Sequence, residues 1–141
     1  MKHKEAITRL TTHEIKPSAQ RIAIMQYLLT HFTHPTVDEV YRALLPKMPT
    51  LSRTTVYNTL RLFSDNDAAQ MITIDEHRVC YDGDIKAHAH FICKQCRRVF
   101  DIFDKTPQMD TSGELEGFRV DDAQLYYRGV CKECMETSEI E

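Results

Sequence analysis

Apolar residues recur at helical spacing through the first half of the chain and alternate at strand spacing through much of the second. Residues 4–13 are weakly amphipathic and predict an N-terminal helix. Pro17-Ser18 is a helix start, and Ile22, Met25, Leu28 and Leu29 follow at helical spacing, predicting a helix over 18–32. His34-Pro35 interrupts. Thr36-x-x-Glu39 is a capping box opening a third helix, with Val37, Val40, Tyr41, Leu44 and Leu45 as its apolar stripe and Pro46 and Pro49 ending it. Ser52 can cap a fourth helix over about 53–65, which buries Val56, Leu60 and Phe63. Two β-like segments follow, near 69–74 and 78–82, joined by the polar turn Asp75-Glu76-His77. Three helices and then a hairpin is the order of a winged helix-turn-helix.

Beyond Gly83-Asp84-Ile85-Lys86, which reads as a linker, strand-like pieces fall near 89–93, 98–103, 117–121 and 124–130. A further helix is expected within 107–116, against the grain of Gly113. Residues Met135–Glu141 read as a frayed acidic tail. The fold class expected is α+β: an N-terminal winged helix-turn-helix over 1–83, a hinge over 84–87, and a small α/β domain over 88–141.

Charge is divided unevenly. The net of −3 over 141 residues argues against a nucleic-acid partner. Residues 1–64, however, carry nine Lys/Arg against four Asp/Glu, while residues 65–141 carry nine against 17. A basic head on an acidic body suits a polyanion-binding module joined to something else. No apolar run approaches the roughly 20 residues of a membrane helix, and the start of the chain lacks the apolar core of a signal peptide. The expectation is a cytoplasmic protein with no membrane partner.

The strongest chemical signal is a pair of knuckles, Cys93-x-x-Cys96 and Cys131-x-x-Cys134, separated by 34 residues. In a reducing compartment such pairs read as metal ligands before disulfides. Four thiolates suit one tetrahedral zinc and leave no open coordination position, so the expected role is structural. Just upstream, His88-x-His90 puts two imidazoles on one side of a strand. With Asp82, Asp101 and His34, these make a harder, more oxygen-rich set that suits Fe(II), Mn(II) or Zn(II). Cys80, between them in sequence, reads as a buried thiol, and His3, His13, His31 and His77 as surface residues.

The fourth helix carries a polar face opposite its apolar one. Arg53, Tyr57 and Arg61 are spaced i, i+4, i+8, with Thr54 and Asn58 beside them. Arginines can donate to phosphates or guanine, and Asn can grip adenine. Lys16, Ser18 and Arg21 are candidates for phosphate contacts. An enzyme is disfavoured: His88-x-His90 lacks the Glu of the zinc-deaminase H-x-E pattern, the four thiolates would close their own site, and no βαβ context supports CxxC redox chemistry. A zinc-ribbon interaction module remains open on the cysteines alone, but the basic helix face argues against it.

The order Pro17-Ser-Ala-Gln-Arg21, His34-Pro-Thr36, Thr55-Val-Tyr-Asn58, Tyr81-Asp82, His88-x-His90-x-x-Cys93-x-x-Cys96, Gly129-Val-Cys131-x-x-Cys134 resembles the ferric uptake regulator (Fur) family over about residues 14–135. The resemblance implies a metal-dependent homodimeric repressor of double-stranded operator DNA, its second domain serving dimerisation. It implies structural zinc on Cys93, Cys96, Cys131 and Cys134, and a regulatory Fe(II) or Mn(II), with zinc able to substitute in vitro, on His34, Asp82, His88, His90 and Asp101. Asp at 101, where iron-uptake members usually carry Glu, and Asn at 58 resemble the peroxide-sensing (PerR-like) members. In those members His34 and His88 match the ligands that peroxide oxidises. An iron-uptake or zinc-uptake regulator is the alternative. The accessory-site positions match Ala87, Ala89 and Ala123, so that site is expected to be absent. Asp67-Ala68-Ala69 stands where the family usually has a glycine before the wing.

Overall fold

The computed structural model of the chain describes residues 2–75, 78–85, 89–102, 114–120 and 124–140. The chain divides into two compact units, Met1–Ile85 and Lys86–Glu141.

The first unit contains α1 (Lys2–Thr12), α2 (Ala19–Thr30), α3 (Val37–Leu44), α4 (Arg53–Asp65) and an antiparallel hairpin of β1 (Gln70–Asp75) and β2 (Arg78–Asp82). Three helix starts are set by short local bonds. Ser18 Oγ accepts from the Arg21 N–H, Ser52 Oγ accepts from the Thr55 N–H, and Thr36 forms the full capping box with Glu39. Leu10, Ile24, Met25, Leu28, Val40, Val56, Leu60 and Phe63 are fully buried and form one core, closed by Tyr81 from β2.

Two helix ends place an acidic residue in the left-handed region. Glu14 follows α1 at φ 62°, and Ile15 then donates to Leu10 O at 2.8 Å. Asp67 follows α4 at φ 60°, where Ala68 donates to Phe63 O and Asp67 to Ser64 O. Both are Schellman closures built without glycine. Asp67 therefore does the work of the glycine expected before the wing, and the turn keeps its shape. Gly83, just past β2, has a different reason to be glycine: a Cβ there would sit 2.8 Å from Leu28 O. Arg9 fastens α1 to this point, donating to Gly83 O and Ala68 O at 2.7 and 2.9 Å. His13 is half-buried rather than free at the surface, its ring nitrogen 3.0 Å from Asn66 O.

The second unit is built on a three-stranded sheet of order β4-β3-β7, from β3 (Ala89–Cys93), β4 (Val99–Ile102) and β7 (Tyr126–Gly129). β4 runs antiparallel to β3, and β7 parallel to it. A parallel neighbour needs a long crossover, and the chain between Cys93 and Tyr126 is long enough for one and carries β4. Within that crossover β5 (Glu114–Leu115) and β6 (Phe118–Arg119) form a small hairpin around Gly117, whose φ is +85°. The helix expected over 107–116 is corrected at its end: Glu114–Leu115 pair as a strand and Glu116 lies in the turn that follows at φ 49°, while 107–113 lie outside the described residues. The tail expected from Met135 is also corrected. Lys132–Ile140 form α5, which opens with Glu133 in its first turn, where an acid favours helix. No helix among the described residues is long and apolar enough to cross a membrane.

Candidate metal centres and nucleic-acid face

The parallel pairing of β3 and β7 assembles the cysteine cluster. Cys93 ends β3 in register with Gly129, so the residue two beyond, Cys131, arrives beside it. After Cys93 the chain turns tightly: Arg97 takes φ 68° and donates to Cys93 O at 3.0 Å, and Cys93 donates to Arg98 O at 3.1 Å. Cys131 immediately precedes α5 and Cys134 lies in its first turn, where the positive helix end favours thiolates.

None of the five cysteines is in a disulfide. The four knuckle sulfurs all lie within 4.8 Å of one another, with Cys93–Cys134 at 3.7 Å and Cys96–Cys131 at 3.8 Å. An ion with four sulfurs about 2.3 Å away separates neighbouring sulfurs by about 3.8 Å, the edge of the tetrahedron. The cluster therefore has the spacing of a zinc site.

Its electrostatics agree. Burial pushes the Cys93 thiol up, but backbone N–H groups, led by Cys131 and Cys96 at 3.4 Å, outweigh it and bring the thiol down to about 5. Cys96 is also lowered, chiefly by the Arg98 guanidinium, which donates to its sulfur at 3.3 Å and also pairs with Glu133. Cys134, half-buried, is pushed up to about 12, chiefly by its hydrogen bond to Cys131 and then by partial burial. Without a cation the thiols share protons because four adjacent thiolates repel. A divalent ion removes that repulsion, and the backbone donors are already aimed at the charged sulfur. Arg98 was not singled out from sequence, although its basic side chain two residues after Cys96 is a usable signal.

The harder donors fall into two pairs, one in each unit. In the first, His34 adopts φ 56° in the loop after α2. A buried non-glycine residue there is an uncommon conformation that surrounding structure must enforce. The Tyr81 N–H supplies the constraint, donating to Pro35 O at 2.9 Å and tying the loop to β2. His34 Nε2 then stands 3.5 Å from Asp82 Oδ2, with both side chains buried, while the Asp84 N–H donates to Asp82 Oδ1 at 2.9 Å. In the second unit, His90 on β3 is the cross-strand partner of Asp101 on β4. Its Nε2 lies 3.5 Å from Asp101 Oδ1, with the Tyr126 ring on the other side at 5.9 Å. Separations of 3.5 Å suit two ligand atoms each about 2.1 Å from one ion. His88 lies outside the described residues, as do Glu76 and His77 of the wing turn and Ala87 and Ala123 of the accessory-site positions. Cys80 is fully buried on β2.

On α4, Arg53, Thr54, Tyr57, Asn58 and Arg61 are all exposed, while Val56, Thr59, Leu60 and Phe63 are buried. Arg61 donates to the Tyr57 hydroxyl at 3.0 Å, so this pair is ordered before any ligand arrives. Lys16, Ser18 and Arg21 line a groove of about 430 Å³ whose far wall is Thr55 and Thr59 of α4.

The model of the ferric uptake regulator family matches residues 12–128. The chain belongs to that family. The peroxide-responsive repressor PerR of Staphylococcus epidermidis is 36% identical over 137 residues, covering 94% of this chain and 90% of that protein. Among solved structures, PerR from Streptococcus pyogenes superposes with a TM-score of 0.52 at 26% identity, covering 94% of this chain and 92% of that one. The Helicobacter pylori ferric uptake regulator Fur, described as having three functional metal-binding sites, superposes with a TM-score of 0.69 at 18% identity over 94% and 93% of the two chains. Membership agrees with the helix order, the wing and the four-cysteine cluster.

Proposed function

We propose that the protein is a homodimeric, metal-dependent repressor that binds operator DNA through α4 and is released by peroxide. One observation carries the metal switch. Each unit offers one hard-donor pair, His34 with Asp82 and His90 with Asp101, each 3.5 Å apart, with all but Asp101 buried. A pair is an incomplete coordination sphere; two pairs, with His88, make a complete one. An ion that draws ligands from both units fixes the angle between them, and in a dimer that angle sets the spacing of the two α4 helices.

Imidazoles and carboxylates suit Fe(II) or Mn(II), whereas the thiols suit zinc. Bound iron would supply the reducing power that makes such a site sensitive to hydrogen peroxide. The remaining chemistry belongs to the chain. Asp82 and Asp101 supply the negative charge that holds a divalent ion, Asp84 N–H and Tyr126 orient the inner residues, and His34 and His88 are the imidazoles open to oxidation. Support for the peroxide-responsive subtype is the 36% identity to a peroxide-responsive repressor, together with Asp at 101 and Asn at 58.

The test is footprinting on promoter DNA with Fe(II) or Mn(II), repeated after peroxide. The expected result is metal-dependent protection that peroxide abolishes only in the Fe(II) form. Protection that persists in the Fe(II) form identifies an iron-uptake regulator. Protection indifferent to chelation overturns the metal switch.

A further inference from the structure

On the outer side of the first unit, α3 and α4 share an arrangement that no short-range sequence pattern announces. Arg53, the first residue of α4, places Nη2 2.9 Å from Asp38 Oδ1. Its guanidinium carbon lies 5.2 Å from the centre of the Tyr41 ring. The other Asp38 oxygen is 2.8 Å from Arg42 Nη2. One carboxylate thus holds two arginines, and one ring supports the plane of the first.

Exposed ion pairs add little stability, and the Arg53 side chain is 62% exposed. A carboxylate on a face that meets DNA also repels phosphates. The consequence that remains is orientation. The Tyr41 ring on one side and the Asp38 carboxylate on another limit the positions the guanidinium can take, and Asp38 occupies one of its five N–H donors. The others stay available at the N-terminal end of α4, the end of a recognition helix that reaches base edges.

Resting on the DNA-binding reading above, we propose that Arg53 is a specificity-determining reader of a guanine edge, with Asp38 and Tyr41 as its positioning residues. Arg with both donors on guanine O6 and N7 is the commonest specific major-groove contact, and it demands a fixed plane. A mobile arginine at the same place contributes charge without discrimination.

The probes are a duplex selected by the Mn(II)-loaded wild-type protein from a random pool and a scrambled duplex of the same composition, each titrated by fluorescence anisotropy at fixed salt. R53K keeps the charge and loses the planar fork; it should bind the scrambled duplex within about twofold of wild type while the selected-to-scrambled ratio falls roughly tenfold or more. D38N should bind the scrambled duplex at least as tightly as wild type, yet lose a similar part of the ratio. Reselection with R53K should relax one guanine position. A ratio unchanged in both variants, with wild-type binding intact, overturns the inference alone. So does an equal loss on both duplexes, which marks a phosphate contact. No preference by the wild-type protein for any selected duplex overturns the DNA-binding reading and this inference with it.

Discussion

The four thiols and the histidine–carboxylate pairs stand for two ways of building a metal site. The thiol cluster is complete within one unit: parallel β3 and β7 deliver both knuckles, and all four sulfurs sit within 4.8 Å of one another. Backbone N–H groups of Cys96 and Cys131 point at the Cys93 sulfur. Metal there stabilises the fold of that unit. Each histidine–carboxylate pair, by contrast, offers two donor atoms, and one member, His34, sits at φ 56° in a loop tied to β2 by the Tyr81 N–H donating to Pro35 O. On the function proposed above, metal there would act as the switch rather than as part of one unit's fold. The first kind of site suits a permanent ion and the second an exchangeable one.

Breaking the comparison from the permanent side should have the largest effect. C131S removes one of the four sulfurs and leaves the backbone N–H groups around Cys93 in place. Structural zinc contributes on the order of 10 kcal/mol to small zinc domains, so the second unit should lose its zinc and its ordered sheet, seen as loss of bound metal by elemental analysis and loss of β signal by circular dichroism. Breaking it from the exchangeable side should spare the zinc. D82N leaves a neutral amide facing His34, and Mn(II) affinity by calorimetry should fall by roughly 100-fold or more, beyond what loss of an outer-shell partner costs. The purified variant should still carry one zinc per chain.

G83A probes the same side without touching a ligand. The new Cβ would approach Leu28 O to 2.8 Å, so Asp82 must shift with the chain beside it. We expect a loss of about 1–3 kcal/mol in the first unit, read as a lower melting temperature, with weaker Mn(II) binding and unchanged zinc content. The smallest effect should come from D67G. Glycine takes the left-handed conformation of Asp67 without strain, and the gain should be about 1 kcal/mol in the melting of the first unit, with neither metal affected.

What could be read from the chain beforehand follows the range of the interactions. The starts of α2, α3 and α4 were legible because Ser18, Thr36 and Ser52 cap them through bonds only three residues long. The knuckles were legible because two of their three spacing constraints lie within four residues. The α5 helix was missed because its acidic composition reads as a solvated tail; Cys131 and Cys134 anchor its start. Glu114–Leu115 were misread because a two-residue strand has no periodicity to detect. The contact that ties the His34 loop to β2 spans about a third of the chain, from Pro35 to Tyr81. The Asp38–Arg53 contact likewise depends on how α3 packs on α4. Sequence could nominate His34 and Arg53 as candidates, but only the fold shows what orients them.

The most direct test of the two-site account is graded chelation of the Mn(II)-loaded protein, following DNA binding and both metals together. The account predicts that a mild chelator removes the manganese and abolishes DNA binding while one zinc per chain and the secondary structure persist. Loss of both metals in a single step, or DNA binding that survives the loss of manganese, would contradict it.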